Sequence, residues 1–279
     1  MSTIPLPVPP NTGPDPSLPG GCTSGPWSHQ GSGPAAGRSC GRGGSVLRPG
    51  RSPDDPASSE VCDDLRVGIW TEEVVPRATD LLLSTASLDR FRREAVSDLS
   101  GDVVEIGFGS GLNLAFYDPA VRTVSAVEPS PVARRLAARR ISRATPRGTP
   151  RVTFVGGAAE ALPFEDGSVD AVVSTFTLCT VPDPGHSLRE VLRVLRPGGR
   201  FSFLEHGLSL DTRVAQWQHR LTPVQRRVAA GCHLDRPIEA LVRASGLDVV
   251  AMRRERAPGP RALGPWASLC TGVAERPWP

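Results

Sequence analysis

The sequence predicts a doubly wound, mainly parallel α/β sheet, and three observations carry that expectation. An apolar run, Val103-Val104-Glu105-Ile106, leads straight into the alternating glycines Gly107, Gly109 and Gly111. Strand-like and helix-like patterns then alternate as far as Leu204. A second strand-like run ends in a carboxylate, Glu128, about twenty residues beyond Gly107. Apolar runs bounded by turn residues read as buried parallel strands, and the helical patterns between them supply the crossovers. In such sheets a ligand lies at the carboxyl ends of the strands.

The first strand is Val103 to Ile106, and the glycines after it let the main chain pass close to a ligand. A helix expected from about Leu112 to Tyr117 would turn its free N–H groups toward that ligand. Leu112 stands where a G-x-G-x-x-G fingerprint would carry its third glycine, so a nicotinamide dinucleotide is the weaker reading. Upstream, Leu65 to Leu99 reads as helical, with Val74, Val75, Leu81, Leu82, Leu83, Leu88, Phe91 and Val96 as an apolar stripe that Pro76 divides. Trp70 and Phe91 read as packing residues or as a flap over the site.

The second strand runs from Thr123 to Val127, and Glu128 at its tip offers two acceptor oxygens where nucleotide sites grip a ribose diol. Ser130-Pro131 opens the next helix as N-cap and first-turn proline, with Val132, Leu136 and Ile141 facing inward. Arg151 to Val155 is a third strand. Ser168 to Ser174 is a fourth, continued through Thr175 to Val181. A helix from Pro184 carries Leu188, Val191, Leu192 and Leu195 at helical spacing and stops at Pro197-Gly198-Gly199. Arg200 to Leu204 is a fifth strand, ending at Glu205-His206, and Leu247 to Met252 and Ala267 to Val273 are two further short apolar runs.

Composition bounds what the chain can be. Of the 279 residues, 29 are Gly and 29 are Pro, and they crowd the first sixty or so, which lack apolar periodicity and cannot bury a core. Residues 1–62 are therefore expected to be disordered, and residues 63–279 to form one globular domain. The net charge of +3 is carried by arginine alone. With no basic stripe interleaved with aromatics, a nucleic-acid partner is not expected. The six cysteines form no C-x-x-C pair and no evident ligand cluster, so no metal site and no disulfide framework are expected. Reduced thiols, the lack of a membrane-length apolar run and the lack of a signal-peptide pattern point to a soluble, cytoplasmic protein.

Four segments in order, V-E-I-G-F-G-S-G, the strand-end Glu128, A-E-A-L-P-F-E-D-G-S-V-D and L-R-E-V-L-R-V-L-R-P-G-G-R-F, resemble the class I S-adenosylmethionine-dependent methyltransferases of the UbiE-like type. The resemblance extends from about Leu65 to the C-terminus. T-F-T-L-C-T-V at Thr175, F-L-E-H at Phe203 and G-C-H-L-D-R at Gly231 are similar to a methyltransferase-like subgroup that includes thiol methyltransferases acting on small alkyl thiols.

The resemblance implies a Rossmann-like, seven-stranded sheet with helices on both faces, completed by a C-terminal antiparallel hairpin, and S-adenosyl-L-methionine as cofactor. It sets Gly107, Gly109 and Gly111 against the methionine end, Glu105 toward the amino group and Glu128 on the ribose hydroxyls. Ala159 and Glu160 fall at the adenine edge, and Thr175 begins the loop beneath the sulfonium. Two positions depart from the pattern. Many relatives carry aspartate where this chain has Ala158, and Phe108 replaces a residue that is often small, where it closes over the cofactor or packs under the loop.

Methyl transfer is an in-line displacement, so the protein must chiefly align two reactants and exclude water, and alignment can supply roughly 7 to 11 kcal/mol of barrier reduction. A small lipophilic acceptor is expected, a thiol first and a phenol or quinone-like compound second. Where the acceptor holds a proton, His206 and His233 are the candidate bases, with Asp235 behind them. Trp217 and Leu221 read as an acceptor wall or as core, and Cys179 and Cys232 as inert small hydrophobes. A cofactor-binding regulator without catalysis is opposed by the intact Glu105, Glu128 and glycine set. A nicotinamide oxidoreductase is opposed by Leu112 and by the lack of a proton-donor Tyr or Lys motif.

Overall fold

The computed structural model describes residues 70–144, 148–260 and 263–279. The segment 1–62 expected to be disordered, and the start of the helix expected from Leu65, lie outside the described residues. Seven strands form one sheet in the order β3-β2-β1-β4-β5-β7-β6. They are β1 (Gly101–Ile106), β2 (Val121–Val127), β3 (Arg151–Val155), β4 (Val169–Thr175), β5 (Leu195–His206), β6 (Asp248–Arg256) and β7 (Ser268–Glu275). The first five pair in parallel, whereas β7 runs antiparallel to both β5 and β6. The expected Rossmann-like sheet with its terminal hairpin is thus formed.

Strand β1 lies between β2 and β4 and is buried on both faces, which is why its sequence is an unbroken apolar run. The two-residue period still sorts its side chains. Val104 and Ile106 join one core layer with Leu188, Val191 and Phe201, and Val103 joins the opposite layer with Val96, Val124 and Val173. Because the chain leaves β1 toward β2 and β3 and later returns to β4 on its other side, the order reverses beside β1. That reversal opens a crevice at the carboxyl ends of the strands.

The crossover helices begin where their capping residues dictate. In α3 (Pro131–Arg143) Ser130 Oγ accepts from the Ala133 N–H at 3.2 Å, and in α4 (Pro184–Val194) Asp183 Oδ1 accepts from the His186 N–H at 2.9 Å. Each has proline in its first turn. The long α5 (Thr212–Val228) is capped by Asp211, and α6 (Ile238–Arg243) and the single turn α7 (Gly264–Ala267) complete that side. None of the described helices is long and apolar enough to cross a membrane.

Several expectations need correction. The helical stretch before β1 is a π turn at Trp70–Val74, then α1 (Val75–Leu83) and α2 (Ala86–Ala95), with Pro76 in the first turn of α1 rather than at a break. Leu88, Phe91 and Val96 are buried, but Leu81 and Leu82 are exposed, and so is Trp70, whose indole donates to the Val228 carbonyl. In α3 the inner face is Val132, Ala133 and Ala137, small residues that let the helix sit close to the sheet; Leu136 and Ile141 are only half-buried. Helix α4 ends at Val194, so Leu195 belongs to β5. Strand β4 stops at Thr175 instead of running on to Val181, for a reason that lies in the site.

The antiparallel hairpin sets a tight limit at Gly272, the cross-strand partner of Phe203. A methyl group there would lie 2.6 Å from the Ala251 carbonyl and 2.7 Å from the Phe203 ring. Gly272→Ala should therefore lower unfolding free energy by about 1 to 3 kcal/mol with an unchanged urea m-value, read by equilibrium denaturation.

Candidate functional site

The carboxyl ends of β1, β2 and β4 open onto a cleft of about 850 Å³, within the size range of cofactor sites. Its floor begins with the glycine loop. Gly107, Gly109 and Gly111 have φ of +66°, +58° and +79°, a region costly for any residue with a Cβ. A Cβ on Gly107 would fall 2.0 Å from Thr177 Oγ1, whereas one on Gly109 would meet only the Gly107 carbonyl, at 3.8 Å. Gly107 is thus glycine because protein lies against it, and Gly109 leaves its main chain open. Phe108 packs beneath the loop, edge-on to Phe154 with ring centres 5.8 Å apart.

The α-helix expected at Leu112 to Tyr117 does not form; Leu114–Phe116 is one 3₁₀ turn. The residues that would have built the helix are drawn instead to Glu105, the last carboxylate of β1. Glu105 is fully buried and accepts from Asn113 Nδ2 at 2.8 Å and from the Tyr117 hydroxyl at 2.7 Å. Asn113 also donates to Thr175 Oγ1 at 3.0 Å and accepts from buried Arg92 Nη1 at 3.0 Å. Burial pushes the Glu105 carboxyl up to about 7 against the pull of Tyr117, Asn113 and Arg92. Burial also lowers Arg92 to about 10, so it stays cationic at neutral pH.

Glu128 folds back over the loop, Oε2 accepting from the Gly109 N–H and Oε1 from the Ser130 N–H, each at 2.8 Å. Each oxygen keeps a second acceptor site. Burial raises its pKa against those two donors. The loop is pinned from outside by Asp80 of α1 and Arg140 of α3, which pair at 2.9 Å and both bind Ser110. At the other end Ala158, Ala159 and Glu160 line the cleft, Ala159 buried and Glu160 Oε1 accepting from the Asp183 N–H at 3.2 Å.

The wall beyond Thr175 is a turn, not a strand. Glu205, fully buried at the end of β5, accepts from the successive N–H groups of Thr177, Leu178 and Cys179 and from Ser174 Oγ. Donors committed to one carboxylate cannot join a ladder, and Phe176 takes φ +55° as the chain turns away. Thr177 Oγ1 then donates to the Ile106 carbonyl at 3.1 Å.

The predicted bases separate. His233 lines the cleft, its buried Nδ1 makes no hydrogen bond among the described residues, and burial together with Arg236 lowers its pKa, so the ring is neutral at pH 7. His206 does not line the cleft; it faces Cys179 and Cys232, with its ring 4.9 Å from that of Phe176. Burial opposes its charged form, but contact with Cys179 and nearby Glu205 outweighs this and raises its pKa. Trp217 is 55% exposed and away from the cleft, and Leu221 packs on the Cys179–Cys232 cluster, so neither forms an acceptor wall. Asp235 is taken up by Thr222 and His219. The expectation that the cysteines form no cluster fails for Cys179 and Cys232, because β4, β5 and the segment after α5 converge there.

Arg92, Asn113, Tyr117 and Thr177 carry the site and had no sequence signal; Arg92 sits in an arginine-rich helix that looks solvated throughout. A buried carboxylate at one end, two ribose-compatible acceptors in the middle and an apolar slot beyond them fit S-adenosylmethionine, and the open face of Gly109 is where its backbone contact would fall.

Residues 104–203 match the family described as "Methyltransferase domain". The human thiol S-methyltransferase TMT1A is 40% identical over 146 residues, 51% of this chain and 59% of that protein. The human thiol S-methyltransferase TMT1B is 30% identical over 197 residues, 65% of this chain and 80% of that protein. A demethylmenaquinone methyltransferase of Renibacterium salmoninarum is 34% identical over 145 residues, 50% of this chain and 58% of that protein. The chain thus spans about three fifths of the length of the first of these relatives. Among solved structures, the methyltransferase complexed with the Haloferax volcanii Trm112 activator aligns with a TM-score of 0.56 at 20% identity, covering 76% of this chain and 98% of that one. The [4+2]-cyclase SpnF aligns at 0.52 with 18% identity, covering 73% of this chain and 81% of that one.

The Tyr117 hydroxyl favours the ionised form of Glu105. Since the folded pKa lies near 7, above the usual carboxylate value of 4.5, this carboxyl is neutral in the folded protein at pH 5, and the stability it costs grows as pH rises from the unfolded value toward 7 and levels off above it. Tyr117→Phe should remove about 1.5 to 3 kcal/mol at pH 8 and about 0.5 to 1.5 kcal/mol at pH 5, read by urea denaturation at both values.

Proposed function

The chain belongs to the class I S-adenosylmethionine-dependent methyltransferases, and we propose that it transfers a methyl group from S-adenosylmethionine to a small lipophilic acceptor, a thiol above all. What carries this reading is the meeting, at the ends of β1 and β2, of a positive-φ glycine loop with two buried carboxylates, Glu105 and Glu128. The similarity to the two thiol S-methyltransferases favours sulfur as the acceptor atom. A phenol or quinone-like acceptor is the second reading, favoured by the demethylmenaquinone methyltransferase similarity.

The cofactor supplies a methyl group already activated on a sulfonium leaving group. Glu105, ionised, receives the cofactor's ammonium, with Asn113 and Tyr117 holding the carboxylate in place. Glu128 takes the ribose hydroxyls on the acceptor sites that its two backbone bonds leave free. Gly107, Gly109 and Gly111 bring the main chain against the methionine end, Ala159 and Glu160 border the adenine, and Thr175 starts the turn under the sulfonium. Phe176 and the segment Ala229–His233 enclose the far side, where water must be kept out and the acceptor aligned. His233 is neutral there, with Nδ1 free of any partner among the described residues, able to take the proton of a thiol that arrives un-ionised; free thiols near pKa 8.5 need only modest help. His206 turns to Cys179 and Cys232 instead of the cleft, which leaves His233 the favoured base.

Calorimetry should give a binding isotherm with S-adenosylmethionine and none with NAD. Glu105 is neutral below its pKa of about 7 and cannot pair with an ammonium, so affinity should rise by up to about tenfold from pH 6 to pH 8. A flat profile would remove the Glu105 assignment.

Labelled methyl from the cofactor should appear on small alkyl thiols in a panel that also holds phenols and a demethylated quinone. Transfer to the quinone alone would shift the acceptor class. Tight cofactor binding with no transfer to any of them would favour a regulatory protein.

A further inference from the structure

Cys179 lies in the turn after β4, His206 at the end of β5, and Cys232 between α5 and α6, yet their polar atoms meet. Cys179 Sγ is 3.8 Å and Cys232 Sγ 3.6 Å from His206 Nδ1, and the two sulfurs are 3.9 Å apart. A tetrahedral Zn²⁺, with bonds of about 2.3 Å to sulfur and about 2.0 Å to nitrogen, needs its sulfurs about 3.8 Å apart and each sulfur about 3.5 Å from the nitrogen. The three edges, at 3.9, 3.8 and 3.6 Å, lie close to those lengths. We propose that Cys179, His206 and Cys232 form a three-ligand site for a thiophilic cation of the Zn²⁺ type, seated behind the acceptor side of the cleft.

The surroundings suit that ligand set. Both cysteines are free and buried, and Leu234, Phe176, Leu221 and Trp266 pack around them. Binding releases the two thiol protons to solvent, and Zn²⁺ with two thiolates and a neutral imidazole carries no net charge, which suits a buried site where the Glu205 carboxylate and the Arg236 guanidinium stand nearby with opposite charge. The backbone holds the ligands ready. The Cys179 N–H donates to Glu205 Oε2 at 3.1 Å, and the His233 N–H donates to the Cys179 carbonyl at 2.8 Å, which ties the two cysteine segments together. The Trp266 backbone hydrogen-bonds the His206 ring, the outer support that metal-ligating histidines usually have.

Three protein ligands leave a fourth position for water or an acceptor atom. Thr180, with Oγ1 3.6 Å from Cys179 Sγ, and His233, next in chain to Cys232, both line the cleft. The ion would therefore cross-link the two segments that wall its acceptor side.

The test uses the full chain, kept reduced and stripped with a chelator, then titrated with Zn²⁺ against a chromophoric competitor and separately with Co²⁺. The expected result is one Zn²⁺ per chain, a thiolate-to-cobalt charge-transfer band with tetrahedral ligand-field absorption, and a loss of affinity of at least about 100-fold in Cys179→Ser and Cys232→Ser. Cys270→Ser, a buried cysteine outside the cluster, should bind as the parent does. Equal affinity in the parent and in Cys179→Ser and Cys232→Ser, or a cobalt spectrum without thiolate absorption, overturns the proposal. Should the serine variants fail to fold, the cobalt spectrum of the parent decides alone. S-adenosylmethionine calorimetry on the same stripped protein keeps the two readings apart, since a normal isotherm beside absent zinc binding sinks only the metal site.

Discussion

A carboxylate buried at the tip of a strand that is itself buried on both faces sets the terms for the whole site. Left alone, Glu105 would cost several kcal/mol, and burial holds its pKa near 7 even against the groups that favour its charge. The offset comes from three directions: the Asn113 amide, the Tyr117 hydroxyl and, through Asn113, the Arg92 guanidinium of α2. To deliver two of these donors the chain after Gly111 must curl back on β1, which leaves room for one 3₁₀ turn and no helix. To deliver the third, α2 must lie across the strand ends, and Arg92 must give up water. The loop path, the placing of α2 and the buried cation all follow from satisfying one side chain.

The neighbouring wall repeats the device. Glu205, at the end of β5, gathers three successive backbone N–H groups and the Ser174 hydroxyl, and so ends β4 and fixes the turn that carries Phe176, Thr177 and Cys179. Thr177 in turn bonds the Ile106 carbonyl and fills the space that a side chain at Gly107 would need. Thr177 thus ties the turn that Glu205 fixes to the end of β1, one residue beyond Glu105. Loss of either carboxylate would loosen both walls of the cleft.

This coupling explains what could be read from the residues and what could not. The strands, the crossover helices and the two carboxylates were legible because apolar period, capping residues and strand-end position are local patterns; Ser130 caps the helix it was expected to open, and the later helix starts at Pro184 as expected. Tyr117, Asn113 and Arg92 were not, since nothing in their own neighbourhoods distinguishes a polar residue bound to a distant carboxylate from a solvated one. The continuation of β4 to Val181 failed for the same reason. Its β-favouring residues are overruled by an acceptor 26 to 28 positions away in sequence, and the period of a segment carries no trace of it. Trp217 failed differently: an aromatic on an amphipathic helix is usually buried, and here α5 turns it to solvent.

The division between legible and hidden residues follows the division of labour in the cleft. The cofactor side is built from strand ends and a glycine loop, elements that the sheet imposes, so motif and geometry agree there. The acceptor side is assembled from the turn after β4, the end of α5 and the segment to Arg236, none of which has a fixed place in the sheet order. A fold of this kind therefore constrains the donor of a reaction far more than its recipient, and SpnF, a cyclase by name, shares the architecture. In this chain the segments on that side are tied together. A backbone bond joins His233 to Cys179, Arg236 bonds the Leu178 carbonyl, and two thiols meet an imidazole behind them. Rigid support of this kind is what a displacement reaction demands, because the shape and stiffness of the pocket hold the attacking atom in line.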